Sequence, residues 1–233
     1  MKKITLFLTT LFISTITNAK LLPLIDQQME PNPKHVELFN TRNFCVLCTL
    51  NDAVLSPDTL YDPTHYNANI SASYVYGTII DRLDLTFAFL YAIKGEYFTI
   101  KNSKVQLINI TYSDLPYFTF TGNEGELVNF TGSGLNYSNF RGAKIDDAIF
   151  TGTALEDTDF SDTELKRALF INTYLKNTNF TSAQLMGSDF THASLTNVNF
   201  TGANLLNAKI TEEQLTHAIV CNAILPDGSR GNC

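Results

Sequence analysis

Four cysteines, four histidines and three evenly spaced tyrosines are the residues of this 233-residue chain whose types could do chemistry. Cys45 and Cys48 form a Cys-x-x-Cys pair, and Cys221 and Cys233 lie near the end. Such pairs can be redox centres, zinc ligands or disulfides. A redox pair needs a βαβ context, which the neighbouring sequence lacks. A shared zinc site would have to draw both pairs together from opposite ends of the sequence. His35, His65, His192 and His217 are not grouped with a nucleophile and an orienting acid, as acyl-transfer chemistry requires. No glycine-rich phosphate loop is present. The expectation is therefore no catalytic residue, no metal and no cofactor. Two outward features remain. Tyr97, Tyr117 and Tyr137 recur at intervals of twenty and form a candidate binding surface. Asp146, Asp147, Glu156, Asp157, Asp159, Asp162 and Glu164 gather seven acids within 145–165 with no base among them.

The elements that position these residues follow a period of five. Every fifth residue from Phe130 to Leu205 is Phe, Leu or Ile, and Phe alternates strictly with Leu or Ile. Two residues before each stands a small one, except at Val128 and Val198. A helix would scatter this set around its axis, because five residues advance it by about 500°. A strand would send alternate members to opposite faces. The pattern is met if each five-residue unit makes one short side and then turns a corner, so that the chain coils with the apolar residue inward. Stacked coils then share backbone hydrogen bonds at about 4.8 Å. Like stacks on like only if a coil holds an even number of units. Two units leave no interior and six leave a hole, so close packing favours four sides and twenty residues. Phe130, Phe150, Phe170 and Phe190 then form one column, and Phe140, Phe160, Phe180 and Phe200 the opposite one. Tyr97, Tyr117 and Tyr137 fall two places after the inward residue and stack outside.

Residues 178–190, Thr-Asn-Phe-Thr-Ser-Ala-Gln-Leu-Met-Gly-Ser-Asp-Phe, and Ala203-Asn204-Leu205 resemble the pentapeptide-repeat family. The resemblance implies an all-β fold, a right-handed quadrilateral parallel β-helix solenoid, in accord with the four-sided argument. Some members of that family bind DNA gyrase through an acidic rod, which makes a DNA-mimicking topoisomerase inhibitor the alternative function.

The same phase runs from Leu50 to Leu225, broken in character only by His65, Gly95 and Gly125. Nine coils would span about 43 Å. The expected division is a signal peptide over 1–19, an irregular N-terminal arm over 20–44, degenerate coils over 45–129, regular coils over 130–225 and a C-terminal cap over 226–233. The coils at 70–129 are expected to be wider, because Leu83, Ile93, Phe98, Ile108 and Phe118 stand where small residues belong. In the arm, Pro23, Pro31 and Pro33 suggest irregular chain, with Val36, Leu38 and Phe39 available to cover the first coil. At the other end, Thr211-Glu212-Glu213-Gln214 reads as a capping box that starts a short helix, followed by the turn Pro226-Asp227-Gly228.

Met1-Lys2-Lys3, the apolar run Ile4–Ile16 and the small residue Ala19 have the layout of a secretory signal peptide, with too short a run to span a bilayer. No later segment reads as a transmembrane helix. A periplasmic or secreted protein is expected, and an oxidising compartment suits disulfides. Cys221–Cys233 is the expected bond, worth about 3 kcal/mol through loop entropy; Cys45–Cys48 is a second possibility. Net charge is -7, and loss of residues 1–19 removes two lysines and no acid. That balance argues against nucleic acid as a partner. The expected function is a non-enzymatic, exported scaffold whose partner is a protein. The six Asn-x-Thr/Ser sequons at Asn69, Asn109, Asn129, Asn136, Asn179 and Asn199 are expected as by-products of the repeat.

Overall fold

The structure, a computed structural model, describes residues 32–42, 45–56 and 67–233. The expected signal peptide and His65 lie outside them. Named elements are few: helix α1 (Pro33–Arg42), strands β1 (Val54–Leu55), β2 (Ile79–Asp81) and β3 (Thr99–Lys101), and helix α2 (Glu212–Leu215). Parallel pairing orders the strands β1-β2-β3. Most of the chain instead advances by single parallel bridges to the residue twenty further on: Asn69 to Phe89, Phe89 to Asn109, Asn109 to Asn129, and so to Asp189 and Lys209. The fold is thus a parallel β-helix of twenty-residue coils, each made of four five-residue units.

Each unit is fixed by the same few bonds. The inward residue donates its N–H to the next coil, as Phe150 does to the Leu169 carbonyl at 2.8 Å. The residue before it donates to the preceding coil, as Ile149 does to Val128 at 2.8 Å. At the corner, the residue two places after the inward one takes a positive φ, near 60° throughout. Gly, Asn and Asp tolerate that conformation best, and Gly142, Gly152, Asp157, Asp162, Asn172 and Asn177 supply it. Asn or Asp one place before the inward residue accepts from the N–H two places on, as Asn179 does from Thr181 at 3.1 Å, and from the Thr181 hydroxyl at 2.6 Å. This Asx turn explains the recurring Asn-Phe-Thr.

The bore is dry and aromatic. Phe150 and Phe170 stack with centroids 4.9 Å apart and planes within 1°, and Phe160 and Phe180 do so at 5.0 Å and 8°. The two columns meet edge to face, Phe150 against Phe160 at 5.3 Å and 86°. Both geometries are favourable for aromatic quadrupoles. Inward Thr residues return their hydroxyls to core carbonyls: Thr153 to Phe130 at 3.0 Å and Thr178 to Leu155 at 2.8 Å. No desolvation cost is left uncompensated there.

The N-terminal coils keep the twenty-residue advance but redistribute volume. Leu83, Ile93, Phe98, Ile108 and Phe118 are all buried. Ile93 is matched by Gly95, whose added Cβ would lie 2.6 Å from the Tyr76 nitrogen, and Phe98 by Ile100. One coil departs from twenty. Thr49 bridges Tyr74 and Val54 pairs Ile79, a step of twenty-five. The insertion is one whole unit, so it leaves the five-residue phase intact and invisible in the sequence.

The ends differ from expectation at one point. The arm over 20–44 is not irregular throughout, because Pro33–Arg42 is helical. Asn32 precedes the helix, its Oδ1 accepting from the Lys34 N–H at 3.1 Å. Pro33 takes the first helical position, where proline lacks nothing the helix needs. Phe39 is buried and Val36 half-buried against the first coil, while Leu38 is exposed. At the other end α2 forms with both arms of its capping box. Gln214 donates to the carbonyls of Phe190 and Ala193 at 2.8 and 3.0 Å. A closing turn bridges Ile224 to Arg230 antiparallel.

Phe160→Ala would remove a ring from the interlocked columns and should cost about 3–5 kcal/mol, read as a fall in the urea midpoint. A midpoint shift no larger than that of an exposed control such as Tyr174→Ala would show that the columns do not carry the stability.

Candidate functional site

Tyr97, Tyr117 and Tyr137 stack along one corner of the rod. Tyr97–Tyr117 and Tyr117–Tyr137 both stand 5.1 Å apart, at 16° and 17°. Tyr76 meets Tyr97 edge-on at 6.0 Å. The three rings are 42–50% exposed, which leaves their edges and hydroxyls to solvent. Bridges of twenty residues bring them together, since stacked coils place identical positions one rung apart.

Further aromatic surface adjoins the ladder. Tyr91 and Tyr112 meet at 5.8 Å on the preceding corner. Phe87, Leu107 and Leu127 stand exposed in one more corner column. Between residues 138 and 218, by contrast, Tyr174 is the one exposed large hydrophobic residue among those described. The sequence reading missed the 87–107–127 column, although its spacing of twenty was visible by the test that found the tyrosines.

The four cysteines are bonded as two local pairs, Cys45–Cys48 and Cys221–Cys233. Cys45 and Cys48 are buried under α1. Among the described residues no group of three or more His, Cys, Asp or Glu could hold a metal ion. His35 is held rather than free: its Nδ1 accepts from the Thr49 N–H at 3.0 Å. That bond pins α1 to the first coil. His192 is exposed, and the His217 carbonyl accepts from the Asn197 N–H at 2.9 Å.

The acids of 145–165 do not form an unpaired belt. Bases one coil away answer them: Asp147–Arg167 at 2.6 Å, Glu156–Lys176 at 2.7 Å, Asp162–Arg141 at 3.0 Å and Asp146–Lys166 at 3.4 Å. The absence of a base within 145–165 misled, because the coil places residue i beside i+20. One column alternates in sign through Asp84, Lys104, Glu124, Lys144 and Glu164, with Lys144–Glu124 at 2.8 Å. A shallow groove of about 430 Å³ lies over this column at Gly125, lined by acids and bases alike.

The hydrogen bond from Arg167 holds the Asp147 carboxyl below its ordinary range. Burial opposes ionisation of Asp189, but bonds from Thr191 and Lys209 outweigh it and lower that group too. Lys144 lowers Glu124, chiefly by hydrogen bonding.

A family model described as a pentapeptide repeat region matches residues 143–219. That stretch of the chain is a pentapeptide-repeat region. Among solved structures it is similar to HetL, a pentapeptide repeat protein involved in heterocyst differentiation regulation in the cyanobacterium Nostoc, at 17% identity and TM-score 0.34, covering 87% of this chain and 100% of that one. It is similar to full-length QnrB1, a plasmid-mediated fluoroquinolone resistance protein, at 14% identity and TM-score 0.29, covering 79% and 94%. A pentapeptide repeat protein of the Arabidopsis thaliana thylakoid lumen is similar at 17% identity and TM-score 0.27, covering 66% and 74%. No curated protein matches the sequence.

Folded-state lowering of Asp147, Asp189 and Glu124 means their stabilisation is complete above the unfolded carboxyl pKa of about 4 and is lost as pH falls through the lower folded values. Thermal midpoints should hold from pH 7 to about pH 4 and fall below it. Asp147→Asn should lower the midpoint at pH 7 and make little difference at pH 2. An equal loss at both would show that the Arg167 pair contributes nothing.

Proposed function

We propose that this protein is an exported, non-enzymatic scaffold: a rigid, right-handed, four-sided β-helix that presents columns of side chains to a protein partner outside the cytoplasm. The observation that carries this reading is the division of labour between interior and surface. From Ile70 to Phe200 the inward positions, apart from Gly95 and Gly125, hold buried aliphatic or phenylalanine side chains. Much of the ionisable surface of the regular coils is tied up in pairs between coils. What remains available is the aromatic surface of residues 76–137. Large, rigid aromatic side chains are the ones that anchor protein interfaces.

Export is supported by the layout of Met1–Ala19 and agrees with two closed disulfides and no free cysteine among the described residues. No described helix is long and apolar enough to cross a membrane. At the two ends, α1 and the α2–Cys233 segment act as plugs, because an open coil would expose its bore and its unpaired edge. A DNA-mimicking rod would need unopposed acids along its length, and the ion pairs between coils work against that reading.

Expression of the full chain in a bacterium, followed by fractionation and intact-mass measurement, should give a periplasmic or secreted product beginning at Lys20 and carrying two disulfides. A full-length cytoplasmic product with four free thiols would sink the proposal.

A further inference from the structure

The N-terminal edge of the rod is closed by an imidazole. Along the coils, the residue before the inward one donates its N–H to a carbonyl of the preceding coil, as Tyr74 does to Cys48 at 2.8 Å and Lys94 to Ser73 at 3.0 Å. Thr49 holds that position ahead of Leu50 and bridges Tyr74 on one side. Among the described residues no coil precedes it on the other. Its N–H goes instead to His35 Nδ1 at 3.0 Å, and its carbonyl accepts from the Asn32 N–H at 3.4 Å. A ring on α1 thus stands where a coil carbonyl would.

The opposite end meets its coil carbonyls with the Gln214 amide, a group that does not titrate. An imidazole does. Nδ1 accepts only while it is unprotonated, which puts the proton of the neutral ring on Nε2, 3.4 Å from the Asn32 amide nitrogen. The imidazolium has two donors and no acceptor. Protonation therefore leaves two N–H groups facing each other at Thr49. His35 also lies in the first turn of α1, beside Lys34, where the helix dipole opposes a positive charge.

Nothing bonded to the ring offsets that charge. Charged and titratable residues on the elements around it are Lys34 and Glu37 on α1, Asp52 on the first coil, and Tyr74 and Lys94 in the column that Thr49 begins. Arg42 lies about two turns further along the helix. Among the described residues the polar partners of the imidazole are the Asn32 amide and the Thr49 N–H.

What α1 covers is chemically distinct from the rest of the rod. Cys45 and Cys48 are 2% and 4% exposed, and Cys45 Sγ lies 3.3 Å from the His35 carbonyl. While α1 is seated, the disulfide is closed to reagents in solution.

We propose that His35 makes α1 an acid-released cover. With the ring neutral, the helix closes the N-terminal edge and the Cys45–Cys48 disulfide; on protonation it lifts and uncovers both. The bond requires the neutral ring. The hold is therefore complete above the range in which imidazoles ordinarily titrate, about pH 6.5, and is lost as pH falls through it. His35 is a positioning residue, acting on the disulfide through the helix.

The test is reduction of the full folded chain by a water-soluble trialkylphosphine, which is oxidised to its phosphine oxide as each disulfide becomes two thiols. It is run at about pH 7.5 and about pH 5, on either side of the imidazole range. Freed thiols are trapped with a maleimide and located by peptide mass, with Cys221–Cys233 at the far end as internal reference. The rate at Cys45–Cys48 relative to that reference should rise about fivefold on acidification, as expected for loss of one hydrogen bond. His35→Asn, whose Oδ1 takes the place of Nδ1 as an acceptor and does not titrate, should keep the low ratio at both pH values. His35→Ala should give the high ratio at both. A ratio indifferent to pH in the unaltered chain would overturn the proposal. So would an equal rise in His35→Asn, which would assign the acid response to a carboxylate such as Glu37. His35→Ala matching the unaltered chain at neutral pH would show that the ring holds nothing, and would end the proposal as well.

Discussion

The structure depends on a match between two lengths: the rise from one coil to the next and the centroid spacing that offset-stacked aromatic rings prefer. Backbone bridges set the first at about 4.8 Å. Stacked phenylalanines in the bore stand 4.6 to 5.5 Å apart. Neither has to yield to the other, so hydrogen bonding and packing are satisfied by one geometry. The edge-to-face meeting of the two columns then locks each ring against sliding, as Phe170 and Phe180 show at 5.4 Å and 84°. A bore of fixed cross-section also explains the small residue beside each large one. Where Ile93 enlarges that position, Gly95 empties its neighbour.

A rod built this way is stable in its middle and exposed at its ends, because each coil depends on two neighbours. The terminal solutions are local and chemical. At one end, α1 lays Phe39 on the first coil and is fastened by the His35–Thr49 bond and by burial of Cys45 and Cys48. At the other, α2 takes the place of one side of a coil. Its Gln214 amide answers the carbonyls that a further coil would have met. Beyond it, the antiparallel turn returns on Ala223, to which Gly231 donates at 2.9 Å, and Cys221–Cys233 ties it down.

Outward positions are free of these constraints, so the surface records a different pressure. The regular coils spend it on ion pairs one coil apart, as in Asp147–Arg167 and Glu156–Lys176. The N-terminal coils spend it on tyrosine, phenylalanine and leucine at corners where Asn or Gly would relax the backbone. The same lattice that stacks identical core residues therefore multiplies any surface residue into a column. Evenly spaced columns of like side chains follow from that lattice.

Much of this was legible in the residues alone. The strict Phe–Leu/Ile alternation led to twenty-residue coils, and the spacing of Tyr97, Tyr117 and Tyr137 led to their stacking, because both are questions of period. Thr211–Gln214 announced its helix because capping is local. Other features were hidden for identifiable reasons. Pro33 read as a breaker, although after Asn32 it starts a helix. The extra unit in the first coil kept the phase of five and so left no trace. The acids of 145–165 looked unopposed because their partners, Arg141, Lys166, Arg167 and Lys176, lie outside that window in sequence and beside it in space. The sequence by itself determined the repeat and what faces inward, since burial and turn geometry act within five residues. Only the tertiary structure decided which charges cancel, how the ends close and which aromatic columns remain exposed, since those depend on what the next coil places alongside.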